Sequence, residues 1–470
     1  MFKKKKSKLG EGEDINYKVP FNQKFSYAIS MAGGTFITSM ITGSMLKYYT
    51  DFILFPAALF GVVQLIFAIW NAINDPIIGY LSDKRIPKEG KGKRKPWLWR
   101  SIWLIAVGFF LLIIVNPSWS VFTIFSMLLI GLSVHDTGWA IFNINRSSLM
   151  ISITNDDSER SSLVVMSLVF QTIFGIFSFI LPILFLTGNS SLFVIFVMYL
   201  SIGLLSVSLI TLGIKGIREP SHLYVENREL KLWKVIKELF KIKSYLFFIT
   251  YSFLMNAVGG TQLTFMLFYI EDVTNTSGGM AALASAFMLP ITFISYLSVQ
   301  IINKRIGLRK TLLLFLGCTA IGFCGLLFVS EFWLALICYM LTYSGVSAHW
   351  VLSLPLAGNI ADEHELKTEN RNEGILFGIN QIFLAPSTSV LIFIFTVIIT
   401  FYGYIGGIPL QSSETLVGIR LGTGFFPFIF VVISFLLIYF YPMRGEKLND
   451  LKEKVKVMYD KKLANSKGLP

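Results

Sequence analysis

Three polar side chains, Gln64, Asn71 and Asp75, recur at i, i+7 and i+11 within the second long apolar stretch. That spacing places them on one stripe of a helix, with Asn74 beside Asp75 and Pro76 behind it. A carboxylate flanked by amide oxygens is hard-ligand chemistry suited to Na⁺, whereas a lone desolvated carboxylate suits a proton. A buried Asp that only ties helices together is the plain structural alternative. The fourth stretch carries His135, Asp136, Trp139, Asn143, Asn145 and Arg146. Positions 136, 139, 143 and 146 share one face, so an acid, an indole, an amide and a guanidinium can point into one cavity. The indole can stack on the apolar face of a ring and the amide can bind hydroxyls. Arg146 is placed equally well to bind a carboxylate or to close an internal ion pair. Asp136 and His135 lie toward the outer half, where an access role competes with binding. Thr35, Ser39 and Thr42 in the first stretch, Asn256, Thr261 and Gln262 in the seventh, Tyr343, His349 and Trp350 in the tenth, and Asn380 and Gln381 in the eleventh extend a polar, aromatic-lined path. Each hydroxyl alone can equally bond its own helix backbone.

Polar groups of this kind matter only if the elements holding them lie in hydrocarbon, where such groups are costly and face an interior or a water-filled path. Of 470 residues, 54% are hydrophobic and only 15% charged, well below the charge of a soluble globular chain. Twelve stretches are long and apolar enough to cross a bilayer, at roughly 26–49, 54–81, 98–116, 119–150, 162–187, 191–214, 244–270, 279–302, 310–329, 331–358, 375–404 and 423–441. The net charge of +13 suggests an acidic partner until the bases are located. Of the 41 Lys and Arg, 38 fall in the N-tail, the C-tail and the even-numbered loops, and only Lys47, Arg146 and Arg420 fall elsewhere. Under the positive-inside rule both termini are therefore expected in the cytoplasm, and the bases read as topology determinants at an anionic lipid surface, not as a nucleic-acid site. The expected division is a cytoplasmic N-tail (1–25), a six-helix bundle (26–214), a cytoplasmic loop (215–243), a second six-helix bundle (244–441) and a cytoplasmic C-tail (442–470). The N-tail lacks the apolar core and cleavage site of a signal peptide and is expected to be retained. In the central loop Leu232, Trp233, Ile236, Leu239 and Phe240 fall on one face of an amphipathic helix, expected to lie on the inner leaflet unless the loop is a plain solvated linker.

The two halves share landmarks. Gly33-Gly34-Thr35 in the first span is echoed by Gly259-Gly260-Thr261 in the seventh, although close helix packing explains such pairs as well. Gly79 to Arg85 after the second span is partly echoed by Asn303 to Lys310 after the eighth. No strand precedes the Gly-rich stretches, no phosphate-binding GxxxxGK[ST] occurs, and the four His make no metal pair. Cys318, Cys324 and Cys338 lie in apolar runs and imply neither disulfides nor a thiolate metal site. Neither an enzyme nor a cofactor is expected, apart from a coupling ion, H⁺ or Na⁺.

Several motifs carry a likeness. They are Lys24 to Tyr27, Tyr48-Tyr49-Thr50-Asp51, Ile69-Trp-Asn-Ala-Ile-Asn-Asp75-Pro-Ile-Ile-Gly79, Gly92 to Trp97, Asp157 to Arg160 and Ala361 to Gly374. In order and over nearly the whole chain they resemble the glycoside–pentoside–hexuronide:cation symporters, the melibiose-permease type of the major facilitator superfamily. The resemblance implies an all-α polytopic fold of twelve helices in two bundles, alternating access, and sugar uptake driven by a cation across the plasma membrane. It implies a coupling site at Asp75, Asn71 and Asn74, and a solute path at Thr35, Asp136, Trp139, Asn143, Arg146, Asn380 and Gln381. It also implies a cytoplasmic gate of Asp83, Lys84, Arg85, Arg305, Arg309, Glu365 and Arg371. The family's paired span-two carboxylates reduce here to Asp75, with Asn71 in place of the first. The Arg before that pair is Ala68, the span-one sugar-binding Asp matches Thr35, the span-four Asp matches Asn143, the span-five Arg matches Leu168 and the span-eleven Lys matches Ala385. One carboxylate with two amides attracts Na⁺ less, so coupling through H⁺ at Asp75, or none, competes. The expected partners are a small polar organic solute, foremost a sugar, and the lipid bilayer, with no nucleic acid and the chain acting as a monomer. The alternatives are an uncoupled facilitator or exporter of an organic anion or amphipathic lipid, or a membrane sensor without net transport.

Overall fold

The computed structural model describes residues 19–84, 94–153, 157–187, 190–219, 232–276, 278–368, 373–408 and 410–467, and among them every regular element is helical. The first half holds α1 (Phe21–Lys47), α2 (Ala57–Lys84), α3 (Lys95–Ile113), α4 (Val121–Ile153), α5 (Asp157–Leu186) and α6 (Leu192–Gly216). A short α7 (Leu232–Leu239) leads to α8 (Lys243–Phe268), α9 (Gly278–Ile306), α10 (Leu308–Leu326) and α11 (Phe332–Thr368). The chain ends in α12 (Glu373–Leu384), α13 (Ser387–Phe401), α14 (Ser413–Arg420), α15 (Phe426–Tyr439) and α16 (Glu446–Lys467). Among the described residues eleven helical segments are long and apolar enough to cross a bilayer, and α9, with 29 residues, has the length of a twelfth. Large apolar side chains such as Trp103, Phe122, Phe193 and Phe401 point outward, as a surface bathed in lipid requires.

Helix ends differ from expectation where charges are involved. The last span begins at Ser413, ten residues before the expected start at 423, and takes in Arg420. Arg420 is tolerated because it donates to the Leu327 carbonyl at 3.3 Å and to Ser330, capping the end of α10. Residues 421–425, between α14 and α15, form a π-helical turn. The eleventh span is broken: Pro386 cannot donate to the helix ladder, so α12 stops at Leu384 and α13 restarts at Ser387. The amide of Asn256 on α8 covers the break, donating to Ser387 Oγ at 2.7 Å and to the freed Leu384 carbonyl at 3.3 Å.

The internal repeat is real but lies elsewhere than the glycine pairs. Both α1 and α8 run into a five-residue π-helical turn, at 48–52 and 269–273, and each turn is followed by a left-handed residue, Leu54 (φ 59°) or Asn275 (φ 50°). Each turn opens on a buried tyrosine. Tyr48 donates to the carbonyl of Ile113, the last residue of α3, and Tyr269 to that of Leu326, the last of α10. The glycine pairs sit in different registers. Gly33 packs on α6 and Gly34 on Trp139, whereas Gly259 packs on Val346 and Gly260 on Thr388.

The end of α7 is not free for the leaflet. Leu239 is buried, Phe240 stacks 5.2 Å from Phe383, and Glu238 lies 3.3 Å from the His364 ring on α11. Protein therefore covers Leu239, while Phe240 stays exposed beside Phe383.

Backbones meet closely where α3 crosses α4, and a side chain on Gly108 would run into the backbone of His135. Gly108→Val is expected to lower stability in detergent by about 1–3 kcal/mol through overpacking, read by thermal unfolding. Gly317→Ala, on an open face of α10, should stay within about 0.5 kcal/mol of wild type.

Candidate functional site

A cavity of about 250 Å³ lies between the two halves. From the first half it takes Thr38 and Thr42 of α1, Gln64 and Asn71 of α2, and His135, Asp136 and Trp139 of α4. From the second half it takes Gly260, Ala385, Thr388 and Ser389. Gln64 bridges the halves by accepting a bond from Ser389 at 3.1 Å. The break at Pro386 is what aims these short polar side chains inward, because α13 starts a new helical phase there. A broader depression around Arg309, Phe440 and Arg444 opens on the surface at the C-terminal end of α15 and holds none of the polar residues buried between the halves.

At the cavity wall Asn74 donates from Nδ2 to Asp136 Oδ2 at 3.0 Å. The Thr137 hydroxyl lies 3.4 Å from Asn74 Oδ1 and 2.8 Å from the Ser133 carbonyl. Asp75, the chain neighbour of Asn74, is half-buried, as is Asp136. The amide thus ties the Asp136 carboxylate of α4 to the residue next to Asp75 on α2. Among the described residues neither acid has a basic partner. His135 is buried against the same cavity with Nε2 unpartnered.

Other sequence-derived candidates fall at varied places. Trp139 lines the cavity and stacks on Phe142. Asn143 is half-buried and does not line it, so the span-four carboxylate that meets span two is Asp136, seven residues earlier. Thr35 turns to α5, bonding Gln171 Oε1 at 3.3 Å, and leaves the cavity to Thr38 and Thr42. Arg146 is buried. Its guanidinium lies 3.8 Å over the Tyr27 ring, and Nη2 donates to Ser167 Oγ at 2.9 Å and to the Tyr27 carbonyl at 3.5 Å. It has no carboxylate partner among the described residues, and Nε is unpaired. Asn380 is buried on α12 with Oδ1 unpartnered, while Gln381 is exposed; neither lines the cavity.

Of the expected gate, Arg85 and Arg371 lie outside the described residues, and Asp83 and Lys84 are described only as the last helical positions of α2. Arg305 is exposed on the last turn of α9 and Glu365 is buried on α11. Arg309 caps α15 instead of pairing with an acid, donating to the carbonyls of Ile438 and Tyr439 and stacking on the Tyr439 ring. Lys24 is joined to Glu159 at 2.8 Å, tying the start of α1 to that of α5.

Sequence reasoning missed an ionic cluster at the end of the bundles opposite the chain termini. Lys47, fully buried, lies 2.8 Å from Asp51, 2.7 Å from Glu271 and 3.5 Å from Asp272, with Phe268 beneath its ammonium at 4.6 Å. Tyr404 donates to Asp51 Oδ1 at 2.6 Å. Burial, with Asp51 beside it, pushes the Tyr404 phenol well above its ordinary range, so it remains a donor. The available signal was Lys47 and Asp51 at i, i+4 just where an apolar span ends.

The family described as MFS/sugar transport protein matches residues 26–445. The chain is 24% identical over 466 residues to "Uncharacterized symporter YnaJ" of Bacillus subtilis (strain 168), covering 94% of this chain and 97% of that one. It is 23% identical over 309 residues to the isoprimeverose transporter of Lactiplantibacillus pentosus, covering 63% and 62%. In fold it is similar to a crystal structure of a D-xylose-proton symporter, with a TM-score of 0.67 at 14% identity, covering 90% and 97%.

Because Arg146 holds Tyr27 and Ser167 through one planar group, Arg146→Lys keeps the charge but cannot stack and fork together. It should lower stability by about 1–2 kcal/mol, the worth of one or two hydrogen bonds to a charged group, measured by thermal unfolding in detergent.

Proposed function

The chain belongs to the MFS/sugar transport family, and from that membership we propose that it imports a sugar or related hydroxylated solute by alternating access, driven by protons. Multi-pass membrane transport without enzymatic chemistry follows from the family and from the helical architecture. The basic loops and tails favour cytoplasmic termini in the plasma membrane, which puts the Lys47 cluster on the outside. The solute would occupy the inter-bundle cavity, whose volume of about 250 Å³ falls just below the ~300–1,000 Å³ usual for ligand pockets. Trp139 offers a face for the ring, and Thr42, Gln64, Asn71, Thr388 and Ser389 offer hydrogen bonds to hydroxyls.

The observation that carries proton coupling is the Asn74 amide bonded to Asp136, with Asp75 the next residue along α2. Two half-buried acids near one another, with no ion-pair partner among the described residues, favour holding a proton over standing as two bare anions. Asn71, in place of a third carboxylate, lowers the charge available to a desolvated Na⁺. A proton arriving from outside would leave the pair with one negative charge in place of two, and the solute seated against Trp139 would complete the burial, so the two cross together. A second reading, an anionic solute, rests on the buried guanidinium of Arg146, which has no carboxylate partner among the described residues.

In proteoliposomes with separately imposed H⁺ and Na⁺ gradients, a panel of neutral sugars and sugar acids identifies the solute. Asp75→Asn and Asp136→Asn should each cut proton-driven accumulation at least ~10-fold, the effect of about 1.4 kcal/mol, while solute exchange persists. Full accumulation by either variant, or accumulation driven by Na⁺ alone, overturns the coupling assignment.

A further inference from the structure

The cluster around Lys47 joins the two halves of the molecule. Lys47 and Asp51 belong to α1 and its π-helical turn, Glu271 and Asp272 to the equivalent turn after α8, and Tyr404 to the segment after α13. The same end is closed by further contacts. Thr264 donates to the Thr42 carbonyl at 2.9 Å, and Gly406 and Gly407 lie against the backbone of Thr50 and Asp51. The charge count is unequal, with three carboxylates on one ammonium, so closure buries two surplus negative charges. Of the three acids Asp272 is the most buried, with its side chain 7% exposed, and the farthest from Lys47. The other charged groups on the facing elements are engaged or outlying. Arg420 is turned to Leu327 and Ser330, Glu331 caps α11 through the Leu334 amide, and Glu414 opens α14.

We propose that this cluster is the latch of the far-end gate, and that closing it takes up a proton on Asp272. Lys47 supplies the attraction that draws the Glu271–Asp272 turn onto α1. A proton on Asp272 cuts the surplus from two charges to one, and Glu271, with its side chain 26% exposed, can keep that one at water, whereas Asp272 is enclosed without penalty only as the neutral acid. When the latch opens, water returns to the acids, the Asp272 proton leaves, and Lys47 keeps Asp51 as its partner four residues on in the same chain. The latch thus reads the pH of the compartment it faces, independently of Asp75 and Asp136. A low pH on that side favours the closed far end whether or not transport is proton-coupled.

The test uses the full chain with Cys318, Cys324 and Cys338 replaced by alanine and a single reporter, Thr42→Cys, on the cavity wall behind the latch. A membrane-impermeant thiol reagent is added to the far side of oriented proteoliposomes. Lys47→Gln should raise the labelling rate at least ~10-fold, as loss of one charged partner shifts a closed population toward open. Lowering the pH from 7.5 to 5.5 should slow labelling behind the intact latch by ~3-fold or more beyond the change seen with Asp272→Asn, which carries only the pH dependence of the thiol itself. Asp272→Asn should remain slow at both values. Labelling of Lys47→Gln at the parental rate, or the same pH response with and without Asp272, overturns the proposal. If Lys47→Gln unfolds, Tyr404→Phe, which removes one bond to Asp51, takes its place. It must show faster labelling with an unchanged melting temperature, and parental labelling then counts against the latch.

Discussion

Hydrocarbon offers a polypeptide nothing to hydrogen-bond, and almost every feature of this molecule follows from that lack. Each backbone group must find its partner within the protein, so the chain is helical and its apolar runs are long. Where a helix is interrupted, a side chain comes to the exposed carbonyl. Asn256 does so at the Pro386 break, Arg420 at the end of α10 and Arg309 at the end of α15. Tyr48 and Tyr269 do so at the ends of α3 and α10. These capping groups fasten helices together wherever the backbone alone would be left wanting, and they account for Arg420, one of the three bases that loop charge leaves out.

The same lack explains which ionisable groups remain inside. A buried charge must be matched, neutralised or shared. Lys47 is matched in excess, Arg146 spreads its charge over an aromatic ring and two oxygens, and Asp136 takes the amide of Asn74. Polar chemistry within the bundles is therefore sparse and positioned, and each case sits where two or more helices cross.

The span-two stripe, the twelve apolar stretches and the sidedness of the bases were legible in the sequence because each depends on neighbours along the chain. Periodicity tells which side chains share a face of one helix. It does not tell which helices meet, so it paired Asp75 with Asn71 and could not foresee that Asn74 would reach Asp136. The family motif directed attention to Asn143, while the packing of α2 on α4 brings Asp136 to the amide. Charge counting by loop set Lys47 aside as one of three exceptions, although it holds the two halves together. The amphipathic α7 was legible as a helix, but nothing in its own residues announces Phe383 or His364 as neighbours of its C-terminal end.

The two halves carry matching π-helical turns 221 residues apart, 48–52 and 269–273, yet their glycine pairs are 226 apart. Five residues correspond to about 140° of rotation and about 7.5 Å of rise along a helix. A chimaera spliced at the glycines would therefore present the wrong side chains to every neighbour, however similar the joined stretches look on paper. Spliced at the turns, the same graft would arrive in phase. The tyrosine-led turns, not the glycines, are the benchmarks by which one half of this protein can be measured against the other.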